Sequence, residues 1–400
     1  MDARNRPKDA EGGLKASRRT EMSGLTLDQR ILVPENAERD RGCVGSKCPR
    51  PSRARQKATL VTGNATFRFD DIAIVSVEAC DAPEIVTSAQ IDDRLAPFYE
   101  RTGARPGLLE SLAGITQRRQ WPEGVSFMDA AAMAGEKAIA SSGVDRSRIG
   151  LIADSSVCRE RLEPSSAVTV HNILGLASTC TNFDISNACL GFLNGIQVAG
   201  SMIESGQIDY ALIVDGEGTR QIHETTIRKL LRPDATIDDL FENFATLTLG
   251  SGSAAMVIGR HSENPGSHRV KGGFFRAATT HHDLCVGSLE GMRTDTRKLL
   301  EAGTEVAKLA WEDAGDKSGW FDMRVYILHQ VSQVHTQAVI DTLGIDGDRV
   351  PRSFPEYGNI GPAAIPVTLA GVQDLLEPGD GVMFQGMGSG INAALVEIEW

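Results

Sequence analysis

No run of about 18 consecutive apolar residues occurs anywhere in the chain, so no membrane-spanning helix is expected. The N-terminus carries no apolar h-region, and no secretory signal is expected either. The seven cysteines fall at irregular spacings over 400 residues. That pattern excludes the disulfide framework of a small secreted protein and predicts reduced thiols in a cytoplasmic protein. With 41% hydrophobic and 24% charged residues, the composition of a disordered or fibrous chain is also missing. Basic charge is scarce over most of the length. Residues 1–57 hold 14 Lys/Arg against 8 Asp/Glu, whereas the remainder holds 27 against 45. Neutralising phosphates requires a basic surface, so the acidic part is a poor candidate for general nucleic-acid binding.

Residues 1–57 have almost no apolar periodicity and cannot bury enough surface to offset their ordering entropy. They are expected to form a disordered basic tail. An arm for an anionic surface or partner is the functional alternative for such a charge pattern, and a start at Met22 is another. Cys43 and Cys48 have no second Cys or His pair nearby and fall short of a zinc site.

From about Ala58 the pattern becomes α/β. Strands are expected at Phe69–Val77, Ile149–Ala153, Tyr210–Val214 and Gly252–Gly259, with helices at Ser88–Arg101, Ser126–Ser142 and from Asn187 to about Glu204. The same grammar returns with strands at Lys271–Ala278, Arg324–Leu328, Gly381–Phe384 and Ala393–Ile398, and helices at Asp295–Ala314, Val334–Leu343 and Gly361–Leu375. Alternation of this kind predicts mostly parallel sheets covered by helices on both faces. Two halves, 58–262 and 263–400, suggest an internal duplication.

Four stretches carry residues suited to chemistry. Cys189, in Asp184-Ile-Ser-Asn-Ala-Cys-Leu-Gly-Phe192, falls at a strand-to-helix turn, where unpaired amides and the helix dipole favour thiolate. A free cysteine is also among the most commonly buried residues, and packing is its plain alternative. His329, in Val325-Tyr-Ile-Leu-His-Gln-Val-Ser332, ends a buried strand, the place where α/β folds gather ligand-binding groups. A Cys and a His at matching strand ends of two repeats suggest a catalytic pair more strongly than either alone. Asn359, in Tyr357-Gly-Asn-Ile-Gly361, suits an N-cap or turn, or an amide donor to an oxyanion. Gln385-Gly-Met-Gly-Ser-Gly390 lacks the Lys-Ser/Thr of a phosphate loop and reads as a tight turn exposing backbone N–H groups.

Taken in this order and spacing, these four stretches resemble the thiolase superfamily in its ketoacyl-synthase-III-like branch, over about residues 65–400. The resemblance implies a thiolase-like fold, with two duplicated βαβαβαββ halves forming a five-layered αβαβα core. A Cys–His–Asn set differs from the Cys–His–His of other ketoacyl synthases. True thiolases carry a second catalytic Cys near the C-terminus, where this chain has Gly386-Met-Gly-Ser-Gly390. Within the branch, the stretches Asp81–Ile91 (DAPEIVTSAQI), Ser155–Val168 (SSVCRERLEPSSAV), His329–Thr336 (HQVSQVHT) and Gly358–Leu369 (GNIGPAAIPVTL) are similar to the acyl-CoA condensing enzymes of bacterial olefin biosynthesis.

That resemblance implies a non-decarboxylative Claisen condensation of two long-chain fatty acyl-CoA molecules to a 2-alkyl-3-oxoalkanoate. It implies Cys189 as nucleophile, the backbone N–H groups of Cys189, Gly386 and Gly388 as the oxyanion hole, and His329 and Asn359 as enolate-stabilising donors. It further implies a homodimer in which Glu163 reaches the partner's active site as the base. Read without the family, Glu163 before Pro164 is an ordinary solvated carboxylate. No metal or redox cofactor is implied, coenzyme A thioesters being the substrates, and other enzymes of the olefin pathway are the implied partners. Ketoacyl synthases III carry a CoA-binding Arg in a Thr-Arg-Thr-Gly-Ile stretch. Here Leu112-Ala-Gly-Ile115 stands in its place, and Arg118 and Arg119 just after are the substitute candidates. A decarboxylating synthase using malonyl-carrier protein would employ the same Cys–His–Asn set, with Glu163 incidental, although an acidic surface suits an acidic carrier protein poorly. A silent acyl-binding homologue is the non-enzymatic alternative.

The cluster His281, His282, Asp283 and Cys285 lacks a distant fourth ligand, which argues against a metal. Cys158 and Cys180 read as structural thiols, and Trp311 and Trp320 as core or interface residues.

Overall fold

The structure, a computed structural model, describes residues 66–288, 291–313 and 319–400. The expected tail, with Met22, Cys43 and Cys48, lies outside the described residues. In the first half the strands are β1 (Thr66–Arg68), β2 (Ile72–Cys80), β3 (Glu84–Thr87), β4 (Gln117–Gln120), β5 (Ile149–Asp154), β6 (Thr181–Asp184), β7 (Tyr210–Glu217) and β8 (Gly252–Arg260). They are interleaved with helices α1 (Ser88–Thr102), α2 (Leu108–Ser111), α3 (Phe127–Ser142), α4 (Ser166–Ile173), α5 (Gly191–Glu204), α6 (Arg220–Leu230) and α7 (Ile237–Leu247). The second half contributes β9 (His268–Ala277), β10 (Cys285–Ser288), β11 (Gly291–Thr294), β12 (Val325–Leu328), β13 (Gly381–Gly388) and β14 (Asn392–Glu399). Its helices are α8 (Thr296–Asp313), α9 (Gln333–Leu343), α10 (Phe354–Tyr357) and α11 (Ala364–Val372).

The helix ends follow local chemistry. Capping boxes open α1 (Thr87 with Gln90), α3 (Ser126 with Asp129) and α7 (Thr236 with Asp239), each satisfying amides that the first turn leaves free. Gly103, Gly143 and Gly344 close α1, α3 and α9 in the left-handed conformation that glycine adopts without a Cβ penalty. Helices α6 and α7 had no counterpart in the sequence reading.

The main sheet runs β12-β13-β14-β9-β2-β8-β7-β5-β6, with β1 added on β9. The first repeat is β2-β8-β7-β5-β6 and the second is β9-β14-β13-β12. In each, a parallel neighbour (β5 on β7, β12 on β13) is followed by an antiparallel return strand (β8, β14). A two-residue pairing of β2 with β9 (Ala73 and Ile74 against Arg269 and His268) joins the repeats. The sheet is therefore mixed, not mostly parallel as alternation alone predicted. The return strands β8 and β14 end each repeat without a crossover helix in parallel register.

Three apolar cores define the layers. Leu193, Ile196 and Ile203 of α5 and Ile365 and Leu369 of α11 pack together with Ile213 and Met256 of the first repeat and Ile327, Val382 and Phe384 of the second. These two helices are thus the middle layer. On one outer face α3 packs on β2, β7 and β8 through Ala131, Ala134, Ala138 and Leu212. On the other, α8 and α9 cover β9 and β12–β14 around Trp311, Trp320, Met383 and Val339. The result is the five-layered αβαβα arrangement. Trp311 and Trp320 are core residues, the latter donating Nε1–H to Glu397 at 2.9 Å.

One glycine shows how tightly α3 meets the sheet. A Cβ on Gly216 would stand 2.1 Å from the Phe127 carbonyl oxygen and 2.9 Å from the Ala131 nitrogen, both backbone atoms of the first turns of α3. Gly216→Ala is therefore expected to lower stability by about 1–3 kcal/mol through overpacking. Gly287→Ala, whose added methyl meets nothing within 4 Å among the described residues, should stay within about 0.5 kcal/mol. Urea denaturation of the two variants beside the parent protein makes the comparison, and equal midpoints would contradict the packing argument.

Candidate active site

Cys189 stands in the turn between β6 and α5. The residue before it, Ala188, has φ +46°, the one positive φ outside glycine among the described residues. An L-residue held there costs about 1–3 kcal/mol, so surrounding contacts must fix it. They come from both repeats. Asn187 donates Nδ2–H to Asn194 Oδ1 of α5 at 2.7 Å, and its Oδ1 accepts from Asn392 Nδ2 of β14 at 3.1 Å. Gly191 lets α5 begin against the Ser155 carbonyl, which a Cβ would approach to 2.6 Å. Gly388 lies against the turn from the other side, where a Cβ would be 3.4 Å from the Cys189 nitrogen.

The turn expected in the glycine stretch is present at residues 389–391, but Gly386 and Gly388 lie before it. They belong to the second half of strand β13, in register with Ala394 and Asn392 of β14. Gly386 is there because a Cβ would collide with Leu190, which precedes α5, and Leu193 of α5, at 2.3 and 2.8 Å. Of the two, it is Gly388 whose backbone borders Cys189.

His329 follows β12, is 3% exposed, and its N–H donates to the Gln385 carbonyl at 2.7 Å. Burial first, and His335 second, push its pKa down to about 3, against the pull of the Gly361 carbonyl. The imidazole is therefore neutral at pH 7, and its Nδ1 has no hydrogen-bond partner among the described residues. The neighbouring Gln330, fully buried, accepts from Ser353 N at 2.8 Å and donates to the Pro351 carbonyl at 2.8 Å. It fixes the segment that leads to Asn359.

Asn359 is clamped by backbone bonds: its N–H donates to Thr248 O and its carbonyl accepts from Gly250 N, both at 2.9 Å. The close approach requires Gly250, whose Cβ would sit 1.7 Å from the Tyr357 oxygen. The side-chain Oδ1 accepts from Gly361 N at 3.0 Å. That bond settles the amide's orientation and leaves Nδ2–H₂ for another acceptor. Gly361 thus joins His329 and Asn359.

Two buried acids absent from the sequence reading lie behind the site. Asp215 and Glu217 end β7 and are buried. Glu217 sits with its carboxyl carbon 3.5 Å from where a Gly361 Cβ would be. Burial raises its pKa to about 7, and Asp154 adds to the rise. Burial likewise holds Asp215 well above the carboxylate range, with Ser155 Oγ donating to it at 2.7 Å. The signal was present in Tyr210-Ala-Leu-Ile-Val-Asp-Gly-Glu217, where carboxylates end a wholly apolar strand.

These groups reverse one expectation. The Cys189 pKa is raised, by burial first and then by the nearby Cys285, Glu217 and Asp215. Desolvation and acidic neighbours outweigh the helix end, so Cys189 rests as a thiol and His329 as a neutral imidazole.

Glu163 lies on the loop between β5 and α4. That loop is held at its start, where Val157 N donates to Glu217 Oε1 at 2.6 Å, and at its end, where Asp184 accepts from Ser166 N and Ala167 N at 3.0 and 2.9 Å. Glu163 itself is exposed beside Leu162, which is 96% exposed. It forms no hydrogen bond or ion pair among the described residues, and the structure does not gather it with Cys189 of its own chain. Arg118 is a correction. It is 0% exposed inside β4, with Nη1 donating to Ser88 Oγ at 3.1 Å, so it does not reach a nucleotide at the surface. Arg119 is engaged by Asp81 at 3.7 Å and lies over the Tyr357 ring. A cavity of about 430 Å³ opens past the end of β7, lined by Trp121, Val125, Phe127, Glu160, Gly218 and Arg220 among others.

Comparison with known proteins shows what the chain is similar to. The family model for 3-oxoacyl-[acyl-carrier-protein (ACP)] synthase III matches residues 183–272, and the model for its C-terminal part matches residues 317–400. The chain is 41% identical over 336 residues to the acyl-CoA:acyl-CoA alkyltransferase of Xanthomonas campestris pv. campestris, covering 83% of this chain and 99% of that protein. It is 38% identical over 353 residues to the enzyme of the same name from Shewanella oneidensis, covering 84% and 100%. A beta-ketoacyl-[acyl-carrier-protein] synthase III of Rickettsia bellii is more distant, at 23% identity over 80% of this chain and 96% of that protein. Among solved structures, Xanthomonas campestris OleA with bound lauric acid and lauroyl-CoA superposes with a TM-score of 0.81 at 40% identity, over 83% of this chain and all of that one.

The resting-state assignment of the thiol is testable. Iodoacetamide should label Cys189 more slowly at pH 7 than a free thiol of pKa about 8.5, with a rate that climbs only at higher pH. Peptide mass spectrometry of the labelled protein follows it, and rapid labelling at pH 6 would refute the raised pKa.

Proposed function

The chain belongs to the acyl-CoA:acyl-CoA alkyltransferase family of 3-oxoacyl-synthase-III-like enzymes, and on that premise we propose that it condenses two long-chain fatty acyl-CoA molecules head to head without decarboxylation. The product is a 2-alkyl-3-oxoalkanoate, and the reaction is the first step of long-chain olefin formation. The observation that carries this reading is the likeness to the alkyltransferases, at 41% identity against 23% for a synthase III; the half-buried Cys189 and Asn359 with the buried, neutral His329 supply a thiol, an imidazole and an amide oriented by Gly361 for it.

In the first half-reaction Cys189 Sγ attacks the thioester carbonyl of one acyl-CoA while His329 takes its proton. The oxyanion is met by backbone N–H groups at Cys189 and Gly388. Coenzyme A leaves as the thiol, and the acyl group remains on Cys189. In the second, the carbonyl oxygen of another acyl-CoA lies between His329 and the Nδ2 of Asn359. Those donors stabilise the enolate formed when an α-proton is removed. Decarboxylating relatives obtain their carbanion by losing CO₂; here a base is required, and Glu163 of a second copy fills that role. The exposed Leu162–Glu163 tip, anchored at both ends of its loop, suits insertion into a neighbouring subunit. The enolate carbon attacks the acyl carbonyl, Cys189 departs as thiolate, and hydrolysis of the remaining thioester frees the 3-oxo acid. The reaction needs no metal or redox cofactor.

Incubation with myristoyl-CoA as sole substrate is expected to release thiol and to give the symmetrical long-chain ketone left when the 3-oxo acid loses CO₂. Cys189→Ala should abolish both products. Asn359→Ala should lower kcat by about 100- to 1,000-fold, the cost of one lost oxyanion donor. Glu163→Ala should spare thiol release and lower ketone by about 100-fold or more, the share of a general base. Product only on adding malonyl-carrier protein would instead identify a decarboxylating synthase.

A further inference from the structure

Glu217 is the buried acid that the condensation leaves without a task, and it touches two parts of the site at once. On one side its Oε1 accepts from Val157 N at 2.6 Å, at the root of the loop that carries Glu163. On the other it packs against Gly361, whose N–H orients the Asn359 amide. Its own backbone is fixed, since the Trp121 indole donates to the Glu217 carbonyl at 2.9 Å. At 5% exposure it is sealed from water between these contacts.

We infer that Glu217 is a positioning residue that braces the 155–165 loop against the Asn359–Gly361 turn, so that the base donated to the partner and the oxyanion donor of the same chain are set by one carboxylate. The inference rests on Glu163 acting as the base. The charge on Glu217 decides how firmly the brace holds, because an ionised carboxylate is the stronger acceptor for the Val157 N–H. The groups facing it are the carboxyls of Asp154 and Asp215 and the thiols of Cys158 and Cys189, with no ion pair to Glu217 among the described residues. Burial and Asp154 bring its titration to about pH 7. The sign follows. Below that pH the protonated acid loosens the loop and the condensation step weakens; above it the loop is held. Acylation of Cys189 does not use the loop, and a negative charge near the thiol does nothing to help it.

The test uses the full chain and its Glu217→Gln and Glu217→Ala variants, with myristoyl-CoA, over roughly pH 5.5 to 8.5. Three quantities are read: the burst of thiol release, the condensed product per thiol released, and hydrogen exchange of the amides in residues 155–165. In the parent protein, product per thiol should rise about fivefold or more through pH 7, and exchange at Val157 should slow over the same range. Glu217→Gln keeps the shape, so its burst should stay within about threefold while both pH dependences flatten. Glu217→Ala should exchange fastest and form about tenfold less product per thiol. A Glu217→Gln protein with the parent pH profile, or a Glu217→Ala protein with unchanged exchange at Val157, overturns the inference. A parent protein that forms no condensed product would defeat the head-to-head reading alone, and the exchange data would still decide the brace.

Discussion

The structure turns on one unfavourable backbone conformation, at Ala188, and on the asparagine amides that hold it. Asn187 is gripped by Asn194 in its own repeat and by Asn392 in the other. The Cys189 turn is therefore fixed only when both halves of the chain are folded and in register. Its surroundings follow from that requirement. Gly191 admits the Ser155 carbonyl beneath the helix start, and Gly386 lets β13 run flat against Leu190 and Leu193. With the Cys189 turn fixed, the ends of β7 and β12 fall beside it, bringing Glu217 and His329 to one place.

The second theme is neutrality at rest. His329 and His335 are uncharged, with pKa values pushed down to about 3 and about 4 by burial. Asp154 and Glu217 are pushed up to about 6 and about 7, and the Cys189 thiol is raised as well. A desolvated site stores charge at high cost, so each group moves toward its neutral form. Charge then develops when a thioester carbonyl supplies a place for it, beside donors already oriented. This is electrostatic preorganisation in which the strongest interactions are reserved for the reacting state.

Much of this was legible in the sequence. Cys189, His329 and Asn359 stand out as candidates because each sits where an apolar strand or a glycine-flanked turn ends, a pattern visible in one dimension. Glu217 and Asp215 were equally visible in principle, but carboxylates after a buried strand are easily taken for the solvated start of a loop. Helices α6 and α7 were missed because their exposed faces are rich in Arg, Lys, Asp and Glu and only a narrow stripe is buried. The Gln385–Gly388 segment misled because glycine is a breaker in local statistics, whereas here it meets a packing demand set by α5. The burial of Arg118 depends wholly on tertiary contacts with Ser88 and the Asn359 turn, and no local signal marks it.

The shared middle layer bears on how the chain comes to be folded. Helix α5 is complete by Glu204, yet the second-repeat residues that cover it, from Ile327 to Phe384, are more than 100 positions later. Such contacts have high sequence separation, and their loop-closure entropy must be overcome before any of them forms. While the chain is being synthesised, the first repeat carries a naked apolar helix face of the sort that attracts chaperones or other nascent chains. The second repeat therefore acts as an intramolecular cover whose arrival completes the first, and a truncation anywhere after α5 would leave a sticky half-protein in place of a smaller stable one.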